Sequence, residues 1–395
     1  MEEYKKRLRE RVLSSLDLSR QYDDEDILSL IRDAICTESG PMLSVADRIR
    51  TEKEIFDSIR KLDVLQELLE DEDITEIMIN GPDNIFVEKA GRIIRSDRHF
   101  ISPDKLDDII QQIVAENNQV VNESRPIVDT RLPDGSRVNI VLPPIAVDNS
   151  IVSIRRFPKE TMTMERLLSY GSLTEEMAEV LKKLVQSGYN IFISGSTGSG
   201  KTSLINALSG YIPKDERLIT IEDAAELQIR GIPNLVRLES RDATLEGKLA
   251  VPIRELLKSA LRMRPDRIIV GECRGAEAVE MLMANNTGHA GSMSSGHANS
   301  AKDMISRLET MVLMGMDLPL LAIRKQIASG IDIFVHVGRQ PDRSRKVEEI
   351  AEVIGMKDGE VELRTIYSYK GETGSWEKEN EILHTEKLVR HGFSV

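Results

Sequence analysis

The stretch that decides the fold of this chain is Asn190-Ile-Phe-Ile-Ser-Gly195-Ser-Thr-Gly-Ser-Gly200-Lys-Thr-Ser-Leu-Ile205. It begins with a short apolar run of the kind that forms a buried strand, and residues 203–209 have the pattern of a helix. Between them, Gly195 to Thr202 match G-x-x-x-x-G-K-[ST] at every fixed position. A chance glycine-rich turn is the alternative, and the strand and helix on either side disfavour it. The stretch therefore indicates a phosphate-binding loop, or P-loop.

The residue types in this loop suit the binding of Mg²⁺-ATP. Its glycines permit backbone conformations that direct successive N–H groups at phosphate oxygens, and the following helix points the positive end of its dipole at the same anion. Lys201 is expected to reach the β- and γ-phosphates, and the Thr202 hydroxyl is expected to hold Mg²⁺. The residues predicted to bind the nucleotide here are Gly195, Ser196, Thr197, Gly198, Ser199, Gly200, Lys201 and Thr202.

Two acidic strand ends are candidates for the chemistry that follows ATP binding. Glu272 comes directly after the β-branched run 267–271, and Glu222-Asp223 ends another apolar run. Ligands of open α/β sheets bind at the carboxyl ends of the strands, where such acids lie. An exposed glutamate after a core strand is the ordinary alternative for either one. Beside a P-loop, we favour Glu272 as the acid that supports hydrolysis.

A segment with two histidines, residues 286–299, brackets a further short strand. Either His289 or His297 alone would more often be structural. Zinc binding with Cys273 is disfavoured because the spacing is not a usual ligand spacing, and a small buried hydrophobe is the expected role of that thiol. A polar sensor at the γ-phosphate or at a subunit edge fits the histidines better.

Sequence patterns divide the chain into four parts. Residues 1–60 predict a charged helical extension, which serves either as a solvated appendage or as a docking element. Residues 61–157 predict a small α+β domain, and residues 158–171 predict a linker. Residues 172–395 alternate helix and strand, which predicts an α/β domain with a parallel sheet covered by helices.

The order of these motifs resembles that of the secretion and pilus ATPases of type II and type IV systems. Within that superfamily the chain is most similar to the tight-adherence (Flp) pilus assembly ATPases, through segments 129–139, 153–157 and 307–311. The resemblance covers about residues 60 to 340. It implies a RecA-like P-loop ATPase domain preceded by the smaller α+β domain. It also implies a homohexameric ring, peripheral to the cytoplasmic face of the inner membrane, that acts on platform proteins of a pilus or secretion apparatus.

The resemblance also carries roles onto individual residues. It implies that Glu222 and Asp223 are the acids of an aspartate box and that Glu272 is the Walker B acid, all three near Mg²⁺ with Thr202. His289 and His297 match a histidine box, with His297 in a catalytic role. The second half of that box reads Ser294-Ser295-Gly296-His297 where the family more usually has threonine, and the serine hydroxyl is expected to preserve the function.

Arginines that precede the linker match segments which approach the γ-phosphate in such enzymes. Which of them makes the contact stays open at this level. The four candidates are Arg131, Arg137, Arg155 and Arg156.

Composition narrows the classes of partner. Lys and Arg total 53 against 66 Asp and Glu, a formal net charge of −13, so strong nonspecific binding to nucleic acid is not expected. The apolar runs are too short to span a bilayer, and the charged N-terminus is not expected to be a secretory signal. Two cysteines suggest a reducing compartment without a disulfide framework.

Two alternatives to a pilus or secretion motor remain. One is a type IV secretion or DNA-transfer ATPase, and the other is a nucleotide-gated scaffold with negligible turnover.

Overall fold

The computed structural model describes residues 1–17, 20–89, 91–156, 161–241 and 249–393. The chain separates into two compact units, Met1–Lys159 and Glu160–Val395. Within the described residues, no helix is both long and apolar enough to cross a membrane.

The first unit begins with four helices: α1 (Glu2–Ser15), α2 (Asp24–Thr37), α3 (Val45–Arg60) and α4 (Val64–Glu70). Helices α1 to α3 bury one small apolar cluster that includes Leu8, Ile31 and Ile55. Helix α2 starts at a capping box, in which the Asp23 side chain accepts from the backbone N–H of Asp26.

The rest of the first unit is an antiparallel sheet that packs on one helix. Its elements are β1 (Ile74–Asn80), β2 (Ile85–Lys89), β3 (Arg92–Arg95), α5 (Pro103–Glu116), β4 (Ile127–Arg131), β5 (Arg137–Val141) and β6 (Ile151–Arg155). The strand order is β3-β2-β1-β6-β5-β4. Buried residues alternate along the strands, as Val138 and Ile140 do in β5, and they share a core with Ile109 and Ile113 of α5.

The second unit alternates helices and strands. Its elements are α6 (Met164–Ser169), α7 (Glu175–Gln186), β7 (Ile191–Gly195), α8 (Lys201–Ser209), β8 (Leu218–Glu222), β9 (Leu235–Glu239), α9 (Ile253–Ala260), β10 (Arg267–Val270), α10 (Ala278–Asn286), β11 (Met293–Gly296), α11 (Ala301–Gly315), α12 (Leu320–Gly330), β12 (Ile333–Arg339), β13 (Arg345–Lys357), β14 (Glu360–Lys370), β15 (Ser375–Lys378) and α13 (Glu386–Arg390).

One sheet of nine strands organises this unit, in the order β15-β14-β13-β12-β7-β11-β10-β8-β9. The six strands from β12 to β9 pair in parallel, and β12 to β15 form an antiparallel extension. Strand β7 lies inside the sheet and is buried on both faces. Ile191 and Ile193 join the cluster beneath α7 and α8, whereas Phe192 packs into the cluster with α10 and α11. The α/β class predicted for this part of the chain is confirmed.

The structure differs from the sequence prediction in two places. Within the stretch predicted as a linker, residues 158–171, helix α6 buries Met164 and Leu167 in the core of the second unit, so residues 164–169 are not linker; residues 158–160 lie outside the described residues. Strand β12 was not predicted, and it lies beside β7 in the sheet.

Candidate nucleotide-binding site

The carboxyl ends of neighbouring parallel strands bring the predicted site residues to one edge of the large sheet. The P-loop follows β7, Glu222 ends β8, Glu272 follows β10, and His297 follows β11. Because these four strands run in the same direction, their last residues meet at the edge where α/β sheets bind ligands.

The P-loop glycines are required by conformation and by close approach. Gly198 has φ +70° and Gly200 has φ +101°, a region that residues with a Cβ adopt with strain. A Cβ on Gly195 would collide with the backbone carbonyl of Val337 in β12. The Ser199 hydroxyl is buried and has no hydrogen-bond partner among the described residues. An orphaned donor in a loop of N–H groups is the feature that a phosphate oxygen would satisfy.

Lys201 is turned onto its own loop. Its Nζ donates to the carbonyl oxygens of Gly195 at 3.1 Å and of Ser196 at 3.0 Å, and it lies 3.2 Å from Nδ1 of His297. A polyphosphate at this position would offer charged oxygens, which an ammonium prefers to neutral carbonyls.

His297 bridges the P-loop lysine and the predicted Walker B acid. Its Nε2 lies 2.6 Å from Glu272 Oε1, while its Nδ1 faces Lys201. Because an ammonium can only donate, Nδ1 accepts, and the imidazole proton of the neutral ring therefore sits on Nε2, on the side of Glu272. Burial lowers the pKa of His297 and the Lys201 charge adds to this, whereas the Glu272 carboxylate opposes it; the net lowering favours the neutral ring.

Arg274 is a member of the site that the sequence prediction missed. Its guanidinium lies 2.7 Å from Glu272 Oε2 and 3.6 Å from Asp223 Oδ2, so it joins the acids that follow β10 and β8. The sequence did contain a signal, because Arg274 stands only two residues after Glu272.

Glu222 is the most buried of the predicted acids, at 3% exposure. Its Oε2 accepts from the backbone N–H groups of Glu226 and Leu227, each at 2.8 Å, whereas Oε1 has no partner among the described residues. Burial raises the pKa of Glu222 to about 7, and the two N–H groups oppose that rise. The side chain fits only because residue 271 is glycine, since a Cβ there would lie 2.8 Å from Glu222 Cγ.

The residues predicted to hold Mg²⁺ carry the oxygen atoms that this ion prefers as ligands. Mg²⁺ takes one or two protein carboxylates and completes its octahedron with water and substrate phosphates. The described residues contain no cluster of three or more His, Cys, Asp or Glu that could hold a metal by itself. The orphaned Glu222 Oε1, the Glu272 carboxylate and the Thr202 hydroxyl are suitable donors around a bound nucleotide, with Asp223 beside them.

Cys273, which directly follows Glu272, is buried, as predicted.

A cleft borders this edge of the sheet on the α11 side. Its volume is about 510 Å³. It is lined by the P-loop residues Ser196 and Thr197, by His297, and by Asp303 and Arg307 on α11.

His289 is not part of this cluster. The prediction that it contacts a nucleotide bound to the P-loop of the same chain is therefore wrong. It precedes β11, so it lies at the amino end of the strands, whereas the P-loop lies at the carboxyl end. Its Nδ1 is 3.2 Å from the Ala284 carbonyl, and its own carbonyl accepts from the Ser292 hydroxyl. The histidine-box hydroxyl of Ser295 does reach the site, donating to the Gly271 carbonyl at 2.6 Å.

Three of the four candidate arginines form a row in the first unit. Arg131 pairs with Arg137 across β4 and β5, and Arg137 pairs with Arg155 across β5 and β6. Directly paired residues share a face of the sheet, so three like charges stand side by side on the face opposite the α5 core. Glu76 follows in the row, 3.9 Å from Arg155.

Arg156 belongs to a different environment. Its Nη1 donates to the backbone carbonyls of Asp71 and Ile74, at the start of β1. The side chain therefore ties the end of β6 to β1, and this role separates it from the arginine row.

Fold and site together define a P-loop nucleotide-binding protein of the RecA-like α/β class. A family model described as "Type II/IV secretion system protein" matches residues 59–359, and the chain belongs to that family.

Individual relatives agree with this membership. The chain is 35% identical over 324 residues to the type IV secretion system protein VirB11 of Brucella suis, covering 73% of this chain and 88% of the relative. It is 32% identical over 309 residues to the conjugal transfer protein TrbB of Rhizobium radiobacter, covering 76% and 91%. The crystal structure of the pilus retraction motor PilT with bound ADP matches with a TM-score of 0.54 at 22% identity, covering 77% and 82%, and supports the fold. Membership of the tight-adherence branch stays a prediction.

Proposed function

We propose that this chain is a Mg²⁺-dependent ATP hydrolase that powers pilus assembly or secretion. The observation that carries the proposal is the continuous contact from Lys201 through His297 to Glu272. It joins the group that binds the polyphosphate to the acid that would act on the attacking water. A P-loop that only stores nucleotide has no need of this link.

The geometry supports a specific order of events. ATP draws Lys201 from the Gly195 and Ser196 carbonyls towards the β- and γ-phosphates, because charged oxygens outcompete neutral ones as acceptors. His297 then loses its lysine partner and can turn its Nε2–H towards the γ-phosphate, whose oxygens accept. Glu272 orients or deprotonates the water for in-line attack. Bound Mg²⁺ would neutralise charge that develops on the phosphate oxygens.

The arginine row is proposed to supply a further cation in the working enzyme. Phosphoryl transfer spreads charge over the γ-phosphate oxygens, and an added guanidinium stabilises that charge more than the ground state. Arg131, Arg137 and Arg155 stand side by side on one face of the sheet, so one anion could meet more than one guanidinium, which supports this assignment.

Arg131→Ala combined with Arg137→Ala is expected to lower kcat by about 10²-fold or more and to change nucleotide affinity by less than about threefold, because the contact forms in the transition state. Steady-state ATPase assays and ADP titration measure the two effects. Arg92→Ala combined with Arg95→Ala, on the edge strand β3 of the same sheet, removes the same charge as a control. An equal loss of affinity and kcat would contradict the assignment.

A homohexameric ring is proposed as the active assembly, following the family resemblance. We expect specific ATPase activity to rise with protein concentration as rings form. Activity measured across a dilution series, beside the mass from light scattering, checks this. Full specific activity in a preparation shown to be monomeric would contradict the ring-dependent mechanism and leave the P-loop assignment intact.

The proposed place of action is the cytoplasmic face of the membrane, on platform proteins of a pilus or secretion apparatus. The conjugal transfer relative supports a DNA-transfer ATPase as the second candidate. A sub-micromolar, sequence-independent affinity for duplex DNA at physiological salt would favour it. Negligible turnover in the presence of the platform proteins would favour the nucleotide-gated scaffold instead.

A further inference from the structure

The hairpin between β12 and β13 touches the P-loop from the side away from the acids. In the sheet, β12 flanks β7 on one side, and β11, β10 and β8 lie on the other. Arg345, the first residue of β13, donates from Nε to the Gly198 carbonyl at 2.8 Å. Its Cδ also lies 3.4 Å from where a Cβ on Gly200 would stand. The aliphatic part of this arginine thus rests on the loop that wraps the phosphates.

The two sides of β7 correspond to the two ends of a bound nucleotide. The water-activating acid must stand beside the γ-phosphate, so Glu272 and His297 mark the γ-phosphate end. Lys201 marks the β- and γ-phosphates at the centre of the loop. The α-phosphate and the nucleoside then leave the loop on the opposite side, where β12 and the hairpin lie.

The hairpin presents cations on that side. Arg339 and Arg345 are directly opposite each other in the β12–β13 register, and both are exposed. Like charges in directly opposed positions destabilise a strand pair unless an anion lies between or beside them. Asp342, in the turn of the hairpin, accepts from the backbone N–H of Ser344 at 2.8 Å and so stabilises the turn.

A buried polar network holds the base of the hairpin against β7. The Ser194 hydroxyl, directly before the P-loop, lies 2.9 Å from Nδ1 of His336 in β12. On the far side of the imidazole, Glu348 of β13 lies 3.6 Å from Nε2 and accepts from Gln340 at 2.6 Å. Gly338 is needed here, because a Cβ would collide with the Glu348 carboxylate. The hairpin is therefore braced to the strand that carries the loop.

We propose that Arg345 is a nucleotide-binding residue that contacts the phosphate on the nucleoside side, the α-phosphate of ADP or ATP, through its terminal nitrogens. Its Nε continues to donate to the Gly198 carbonyl, so the same side chain holds the conformation of the loop and binds the nucleotide in it. The assignment rests on the proposed function, in which the P-loop binds adenine nucleotide. Because the α-phosphate is present before and after hydrolysis, Arg345 stabilises substrate, transition state and product alike.

The test compares Arg345→Ala with Lys357→Ala, which removes one positive charge from the exposed far end of the same strand. We expect Arg345→Ala to raise the Kd of both ADP and a non-hydrolysable ATP analogue by about tenfold, the size of one charge-assisted hydrogen bond. The two nucleotides should lose affinity equally, because the α-phosphate is common to both. Lys357→Ala should match the wild type throughout.

The outcomes separate this assignment from the proposed function. If the wild-type protein binds neither nucleotide, the proposed function fails. If it binds both and Arg345→Ala binds within twofold of it, the Arg345 assignment alone is overturned. If Arg345→Ala lowers the melting temperature without nucleotide relative to Lys357→Ala, a loss of affinity could come from the disturbed fold. Arg345→Lys, which restores the positive charge, then distinguishes the two causes. Recovery of affinity with the charge restored supports the assignment, and no recovery overturns it.

Discussion

Glu272→Gln is expected to abolish ATP turnover, with kcat lowered by about 10²- to 10⁴-fold, and to leave ATP binding within a few-fold of the wild type. The amide has the shape of the carboxylate and keeps an oxygen close to Nε2 of His297, which lies 2.6 Å from the present Glu272 Oε1. It lacks the charge and basicity that orient water and accept its proton. The loss should therefore fall on kcat and spare the Kd.

The measurement is a steady-state ATPase assay beside a titration with fluorescent ATP analogue. Glu255→Gln on α9 is the matched control, since it makes the same chemical change at an exposed carboxylate that pairs with Lys258. Hydrolysis by the Glu272 variant at a rate near the wild type would show that another group performs this role. Loss of binding together with turnover would show that the variant disturbs the loop through His297.

Lys201→Ala is expected to remove nucleotide binding itself, with the Kd for ATP and ADP raised by more than about 100-fold, because a buried charge-assisted contact with a polyphosphate is lost. Lys201 is 8% exposed, so water can replace its ammonium only poorly. Unlike the Glu272 change, this one should abolish the nucleotide-induced rise in melting temperature.

The control is Lys182→Ala on α7, where the lysine is exposed and pairs with Glu179. The Lys201 variant without nucleotide should melt close to the wild type, because the Lys201 ammonium contacts loop carbonyls and His297 at the edge of the sheet. ATP affinity within tenfold of the wild type in a folded Lys201 variant would refute the P-loop assignment.

Local patterns were enough to predict the parts of the site that depend on neighbours in sequence. The P-loop needs glycines at fixed spacing between a strand and a helix, and this requirement is met within Gly195 to Thr202. Acids at strand ends follow the same logic, because a strand direction inferred from α/β alternation places Glu222 and Glu272 at the ligand-binding edge.

Long-range contacts were decided only by the tertiary structure. Arg345 stands 147 positions from Gly198, and His336 stands 142 from Ser194. No periodicity relates such residues, since their contact depends on β12 inserting beside β7 in the sheet. His289 is an example of a local pattern that misled the prediction. Its motif grouped it with His297, but β11 separates the two histidines, so they lie at opposite ends of that strand.

What the sequence by itself determined is therefore the phosphate-binding loop, the acids near it, and the α/β class, because each depends on the conformation of a few consecutive residues. What only the tertiary structure decided is which partners meet those residues. Lys201 resting on His297, Arg274 joining Glu272, and the hairpin closing on Gly198 all require strand order and register, which are set by burying both faces of a nine-stranded sheet.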